Sequence, residues 1–423
     1  MKKNVWLKKL KKSGWDKMSN IYDIVIIGGG PAGLSAGIYG GRAKLKTAIL
    51  EKGTVGGMAA TTREMVNYPG FKTSTGPELT KAMADHAREF GTEINKDEVK
   101  DIDLNGEIKV IKTKKGKEYQ TRAIIIAVGS QPRLLNIPGE KEFRGDGVSY
   151  CATCDAECYE GLHVVVVGNG DAAIEEAMFI TKYASKVTII VIHDEGTLDC
   201  NKLSAEKAFK NDKIEFIWKS VVTEIKGENA VTGVTIKNLK TGIIQELQTD
   251  GVFIYVGMVP ETGFLKGKVE MDERGYLSCN GLMETSVSGV YAAGDVRTKY
   301  LRQVSTAVGD GATAAVAAER YIAEQESFRN YVLNSDKPIL MAFWDPVVQE
   351  SLDLLSVLEK TVADHGDAVN LIKIDMSRTK MIAQKYNVSK VPTVLYLQGK
   401  DEFTVFDDEN CIAKLDAFLK RNI

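Results

Sequence analysis

The chain has 423 residues, 44% of them hydrophobic and 26% charged, the balance of a soluble globular protein long enough for two or three separate cores. A formal net charge of −2 offers no long basic face to nucleic acid, and no apolar run approaches the roughly 18 residues of a membrane span. Six cysteines over this length are too few for a secreted disulfide scaffold, so the expected home is a reducing cytoplasm, where a C-x-x-C is catalytic or metal-binding.

The opening stretch, MKKNVWLKKLKKSGWDK, carries seven lysines against one aspartate and lacks the apolar segment of a secretory signal. It reads as a basic extension over residues 1–19, with a short basic helix on a membrane surface as the alternative. Met18 begins MSNIYDIVIIGGG, which reads like a complete beginning, so Met1 and Met18 are both candidate starts.

YDIVIIGGGPAGLSAGIYGGR reads as a buried strand, a glycine turn and a helix, with Gly28, Gly30 and Gly33 forming G-x-G-x-x-G. In that pattern the first glycine turns the chain and the second lets the backbone approach a pyrophosphate. The third lets helix and strand pack closely. The next strand, TAILEK, ends in Glu51, an acid at the distance from the turn that suits the ribose hydroxyls of an adenosine. IIIAVGSQPR then supplies Gly129 at a strand end.

SYCATCDAECYEG (149–161) sets Cys151 and Cys154 two residues apart, Asp155 next, and Cys158 four residues beyond Cys154. By spacing alone this is a redox pair, a zinc site using Cys158 and His163, or small residues in a core. A second strand–turn–helix follows in HVVVVGNGDAAIEEAMFI, with Gly168, Gly170 and Ala173, and its next strand is KVTIIVIH. Two such units suggest two dinucleotides. GVYAAGDVR (Gly294, Asp295) is a buried strand ending in Gly-Asp, whose small residues admit a ligand close to the backbone. After a polar stretch around Glu324–Arg329, read as a linker, come KPILMAFW, QESLDLLSVLEKTVADHG, VNLIKIDM, TKMIAQKYNV, VPTVLYLQG, EFTVF and CIAKLDAFLKR. These alternate as strand, helix, strand, helix, two strands and a helix, a compact α/β unit with its own apolar faces.

In this order the segments GGGPAG, TTREMVNYPGF, CATCD, GNGDAA, AAGD and RQVSTAVGDGATAA resemble the low-molecular-weight thioredoxin reductase family over residues 20–325. The C-terminal unit resembles thioredoxin in its AFW and VPT segments. The fold class implied is α/β, with two Rossmann-like dinucleotide-binding domains and a C-terminal thioredoxin-like domain. The FAD-binding domain would be discontinuous, 20–137 and 251–325, with hinges near Pro138 and Asp250. An NAD(P)-binding-like domain over 138–250 would carry the C-x-x-C, and a redox-inactive thioredoxin-like domain would occupy 330–423.

The resemblance implies an FAD-dependent disulfide reductase that passes electrons to a thioredoxin or similar protein, and a homodimer. It implies that Cys154 faces the flavin, that Cys151 is the interchange thiol and that Asp155 supplies a proton. Exchange needs a thiolate and a leaving thiolate needs protonating, which suits those roles. By match, Gly28, Gly30, Gly33 and Glu51 hold the ADP half of FAD. Asn67 and Gly129 lie near the cofactor, Gly294 and Asp295 meet its ribityl chain, and Arg302 and Gln303 reach it from the last helix. Cys158 stands where the family has an aromatic residue and reads as a small apolar filler or, alternatively, a regulatory thiol.

Two departures stand out. NADPH-using members carry His-Arg-Arg-x-x-x-Arg after the second strand of the nicotinamide domain, whereas this chain reads His193-Asp194-Glu195-Gly196-Thr197-Leu198-Asp199. Each such like-charge contact with a 2′-phosphate costs roughly 1 kcal/mol in water and about 4 near a protein surface, and every 1.4 kcal/mol is tenfold in affinity. NADPH is therefore disfavoured. Two donors remain: NADH, with Asp194 on the ribose and Gly168, Gly170 and Ala173 at the pyrophosphate, or reduced ferredoxin. In the thioredoxin-like unit Val348 and Ser351 stand near the cysteine positions, Ala342 replaces the buried aspartate, and Cys411 is remote. Val391-Pro392 keeps the pattern of a cis-proline. That unit reads as a docking or dimer-organising module or as a relic. Two rival readings are the flavoprotein of an alkyl hydroperoxide reductase, whose thioredoxin-like modules precede the flavin domain, and a flavin-binding thiol or zinc sensor.

Overall fold

The computed structural model describes residues 21–62, 65, 67–377, 380–398, 403–407 and 411–422. The basic extension and the choice between Met1 and Met18 lie outside the described residues. The chain forms two compact units that divide between Ala318 and Glu319.

The first unit opens with β1 (Ile21–Ile27), where Ile24, Val25, Ile26 and Ile27 are at most 3% exposed. Such a run of β-branched residues suits a strand covered on both faces. The glycine turn leads into α1 (Pro31–Arg42), whose Pro31 stands where a missing N–H costs nothing, and then into β2 (Thr47–Glu51). α2 (Gly76–Glu89) is held at its start by a reciprocal capping box between Thr75 and Glu78. β3 (Glu93–Lys96), β4 (Val99–Asp103), β5 (Lys109–Thr113) and β6 (Glu118–Ile126) complete a sheet ordered β3–β2–β1–β6–β5–β4. The order reverses direction at β1, and in open sheets the crevice beyond the strand ends at such a point receives the ligand.

The chain leaves along β7 (Ser130–Pro132) and enters a second sheet at β8 (Val148–Ser149), followed by the short helix α3 (Ala152–Asp155). Next come β9 (His163–Val167), α4 (Asp171–Ile180), β10 (Lys186–Ile190), α5 (Lys202–Phe209) and β11 (Ile214–Ile217). An antiparallel trio, β12 (Ser220–Gly227), β13 (Val231–Asn238) and β14 (Ile244–Gln248), precedes β15 (Gly251–Ile254). The second sheet is parallel and ordered β11–β10–β9–β15–β8. The return runs through β16 (Met258–Pro260), which pairs antiparallel with β7, so the outgoing and returning segments cross side by side. β17 (Val290–Ala292) rejoins the first sheet on β6, and α6 (Val304–Phe328) follows.

These pairings move the expected boundaries. Residues 251–254 do not resume the first domain: β15 lies in register with Val164–Val167 of β9, so the return comes after residue 254 and not at Asp250. Its residues are buried in the second sheet, and a four-residue apolar run alone does not say which sheet receives it. Pro138 is likewise past the crossing, because its carbonyl already accepts from Ile225 N of β12 at 3.0 Å. The polar stretch Glu324–Arg329 is not an extended linker. It is helical through Phe328 and continues as a π-turn over Arg329–Leu333, because Phe328 and Val332, four residues apart, both face an apolar cluster.

The second unit has its own four-stranded sheet. β18 (Ile339–Trp344), α7 (Gln349–Asp364), β19 (Asn370–Asp375), α8 (Lys380–Lys385), β20 (Thr393–Leu397), β21 (Phe403–Phe406) and α9 (Cys411–Asn422) follow in sequence. The sheet order is β19–β18–β20–β21, with an apolar cluster on each face. The α/β class, the two Rossmann-type sheets and the separate C-terminal unit are as the sequence implied. No helix among the described residues is long and apolar enough to cross a membrane.

Candidate active site

A cavity of about 1740 Å³ in the first unit is lined from the sides of both Rossmann-type sheets. Gly28, Gly30, Glu51, Gly129, Gly294, Asp295, Arg302 and Gln303 reach it from one side and Cys151, Cys154 and Asp155 from the other. Asn67 joins them by donating to Gln303 Oε1 at 3.2 Å. Gly33 lies behind the lining, where a Cβ would stand 1.9 Å from Gly28 O, so its role is close packing.

The turn after β1 has the geometry of a phosphate cradle. Gly28 has φ +107°, and a Cβ there would lie 2.3 Å from Ala127 O, whereas Gly30 has nothing within 4 Å of its Cβ position and leaves the N-terminus of α1 open to a ligand. Glu51 is fixed by two backbone donors, Gly29 N at 2.7 Å and Gly53 N at 2.6 Å, one to each carboxylate oxygen. Its remaining lone pairs suit a ribose diol. Asp295 Oδ1 and Arg302 Nε are buried without a partner among the described residues. Burial pushes the Asp295 carboxyl up, against the pull of Lys299 and Arg302. Orphaned buried polar atoms beside an open glycine turn call for a polar ligand, and these residues fit FAD: Glu51 would suit its adenosine ribose, the open turn at Gly30 its pyrophosphate, and Asp295 and Arg302 its polar groups.

Cys151 and Cys154 form a disulfide with a Cα–Cα separation of 5.3 Å. Cys151 caps α3 and Cys154 sits inside it, with Cys154 N and Asp155 N both donating to Cys151 O. Ser149 organises the group: its hydroxyl donates to Asp155 Oδ2 at 2.5 Å and accepts from Cys151 N at 3.1 Å. Burial raises the Asp155 carboxyl, opposed by that hydrogen bond. Gln303 Nε2, from the other side of the cavity, lies 3.9 Å from Cys151 Sγ. Cys158 is exposed and lines the cavity, which corrects the reading of it as an apolar filler: the 3-10 turn after α3 points it outward. His163, the imagined zinc partner, bonds Thr188 Oγ1 at 2.9 Å, and no group of metal-ligating side chains is assembled among the described residues.

The second glycine turn borders this lining: Asp171 and Ala172 at the start of α4 belong to it, whereas Gly168, Gly170 and Ala173 do not. Gly168 has φ +140° with a Cβ position 2.5 Å from Tyr255 O, and Ala173 packs against it, while Gly170 is open. Asp194, after β10, is paired with Lys219 and keeps its side chain 71% exposed. Asp199 accepts from Asn169 Nδ2 at 3.0 Å and bonds His193 Nε2 at 2.9 Å, so its loop lies on the turn.

Sequence reasoning missed Ser149, and it missed Asp310 with its partners Arg297 and Lys299. The signal for Asp310 was available: it is the one acid in VSTAVGDGATAAVAA, a stretch of small residues. In the second unit, Trp344-Asp345-Pro346-Val347-Val348-Gln349-Glu350-Ser351 brings no cysteine to the β18–α7 junction. Ser351 is buried, Ala342 is buried and Val347 is 88% exposed. The Val391–Pro392 bond is cis, as expected.

The profile of the pyridine nucleotide-disulphide oxidoreductases matches residues 22–311, and that of thioredoxin matches 320–421. The thioredoxin reductase of Peptoclostridium litorale is 50% identical over 314 residues, covering 73% of this chain and 99% of that one. The bifunctional thioredoxin reductase/thioredoxin of Mycobacterium leprae is 35% identical over 422 residues, covering 90% and 92%. The crystal structure of a thioredoxin reductase from Streptococcus pyogenes matches with TM-score 0.69 at 42% identity, covering 72% of this chain and 99% of that one.

Proposed function

Because the chain belongs to the pyridine nucleotide-disulphide oxidoreductases and, among them, to the thioredoxin reductases, we propose that it reduces a separate thioredoxin-type protein with electrons from NADH. It is an oxidoreductase, and FAD is the cofactor its cavity fits. The observation that carries the reading is the Cys151–Cys154 disulfide in one cavity with the flavin cradle, at van der Waals range of Gln303 from the opposite side.

The residues of this cavity would hold FAD, which would supply two-electron transfer between the donor and the Cys151–Cys154 disulfide. The rest is done by side chains. Reduction frees two thiols, of which Cys154 is the flavin-side sulfur and Cys151 the interchange thiol. Cys151 as thiolate attacks the disulfide of the partner, releasing one partner thiolate. Cys154 then displaces the second and closes the Cys151–Cys154 bond. Asp155, next to Cys154 on α3, holds its proton to higher pH than an exposed aspartate because it is buried, and Ser149 fixes its carboxyl there, so it serves the released thiolate as acid.

The donor choice rests on the second turn. Acids at all three arginine positions repel a 2′-phosphate, while Gly170 is open and Asp194 is exposed in the loop that follows β10, on the side where an acid takes a ribose diol. A protein donor such as reduced ferredoxin is the second reading, favoured by Asp199 lying across Asn169 of that turn. The thioredoxin-like unit, with no cysteine at its β18–α7 junction, is a docking module here and not an exchange partner. An anaerobic titration that follows flavin bleaching by NADH, NADPH and reduced ferredoxin tests the donor. Rapid bleaching by NADH is expected; bleaching by ferredoxin with both nicotinamides inert would transfer the assignment to a protein donor.

A further inference from the structure

We infer that Asp310 is the positioning residue of the flavin site, a buried charged clamp that holds the loop carrying Asp295 in place for FAD. The inference rests on the FAD cradle and is independent of the donor and of the acceptor protein.

Asp310 lies on α6, outside the cavity lining, and is 7% exposed. Its Oδ2 accepts from Gly294 N at 3.0 Å, Arg297 Nε at 2.8 Å and Lys299 Nζ at 2.8 Å, and its Oδ1 accepts from Arg297 Nη2 at 2.9 Å. One carboxylate thus ties three points of the 294–299 loop to the helix, one of them by a bidentate guanidinium pair. Asp295 sits between the first two tie points, with its unpartnered Oδ1 buried at the cavity. The loop has little freedom to find this place unaided. Gly294 has φ +78° and a Cβ position 2.8 Å from Ala32 Cβ.

The neighbouring residue shows why an acid is needed at this point. A Cβ on Gly311 would lie 2.0 Å from Ala32 O, so α6 runs against the backbone of α1, the helix that starts at the flavin turn. Gly311 lets the two helices touch, and Asp310 beside it meets the loop. The cluster is nearly dry, with the Lys299 side chain 6% exposed and that of Arg297 19%. Burial raises the Asp310 carboxyl, but the Arg297 and Lys299 hydrogen bonds together outweigh it and hold it below its ordinary value. Removing the charge takes the shared carboxylate from two partly buried cations, leaving Asp295 to answer Lys299, an unfavourable arrangement that moving the loop relieves. Asp295 would move with it.

The test is FAD binding, read by flavin fluorescence on the full chain stripped of cofactor, together with melting of the apo and FAD-loaded proteins. Asp310→Asn is expected to raise the Kd for FAD at least tenfold and to lower the melting temperature of the loaded protein more than that of the apoprotein. Adding Lys299→Met to Asp310→Asn removes one of the two cations that lose the carboxylate and should recover at least threefold of the affinity. Arg297→Lys keeps the charge but loses the bidentate grip; it is expected to weaken FAD about threefold to tenfold, and it serves if Asp310→Asn does not fold. A Kd within twofold of wild type in either single variant overturns the inference. So does an equal fall in both melting temperatures with no recovery in the double variant, which would make the cluster ordinary packing.

Discussion

Gly28–Gly33 and Gly168–Ala173 are the same device used twice, a left-handed first glycine against a neighbouring carbonyl and an open second glycine at a helix start. Their surroundings differ. Behind the first turn, the acid of the next strand is pinned by two backbone N–H groups, and the cavity holds orphaned polar atoms that a cofactor would satisfy. Beside the second, Asp194 leans on Lys219 and Asp199 lies on the turn itself. A glycine turn therefore marks a place where a nucleotide could approach, while the residues past the following strand decide which nucleotide it is and how firmly it is held.

The largest separation between the two turns should come from matched valines. Gly30 and Gly170 both have ordinary extended backbone and open space at the Cβ position, so a side chain at either offends only a ligand. Gly30→Val is expected to purify without flavin and without turnover. Gly170→Val should keep its flavin and its disulfide while the KM for NADH rises more than tenfold. Flavin absorbance of the purified proteins and initial rates decide it, and a flavin-free Gly170→Val would erase the contrast.

A smaller effect concerns the chemistry fed by the first turn. Asp155→Asn should lower turnover of a thioredoxin substrate about 100-fold, within the range for loss of a general acid, with flavin bleaching by the donor intact. Its stability should shift with a definite sign. The folded-state carboxyl is raised by burial, so its contribution to stability is complete below the unfolded value and is lost as pH rises through the raised one. Asn carries no such loss, and the variant's melting temperature should gain on wild type at pH 8 relative to pH 4. A gain that is larger at pH 4 would contradict the buried-acid assignment.

The smallest expected effect sharpens the second turn. Asp194→Ala removes a charged acceptor and should weaken NADH by about tenfold, in keeping with about 1.5 kcal/mol for such a bond, while NADPH gains. If neither nicotinamide responds, Asp194 serves only its ion pair with Lys219.

Much of the site was legible because its parts are local patterns. Gly28, Gly30, Glu51 and Gly294-Asp295 lie at the ends of strands that their own residues specify, the Cys151–Cys154 pair is a local spacing, and the resemblance supplied the order that joins them. The domain boundaries were less legible. GVFI reads as a buried strand in either sheet, and only pairing with β9 placed it in the second. The Glu324–Arg329 stretch read as a linker by polarity, yet Phe328 and Val332 carry the helical spacing that ties it to a core. Cys158 faced outward for a reason of local geometry that spacing does not reveal.

By itself, the sequence determined which chemistries are available. It placed thiols two residues apart with an acid beside them, set acids where a 2′-phosphate would need arginines, and left the β18–α7 junction without cysteine. Those are properties of residue type and near spacing, and no packing can alter them. Only the tertiary structure decided what works together. It brought Gln303 to Cys151 across 152 positions of chain, gave Asp310 four donors from three residues, and turned Asp199 onto the second glycine turn. Such contacts depend on where strands cross and how closely helices approach, which is set by the burial of surfaces far apart in the chain.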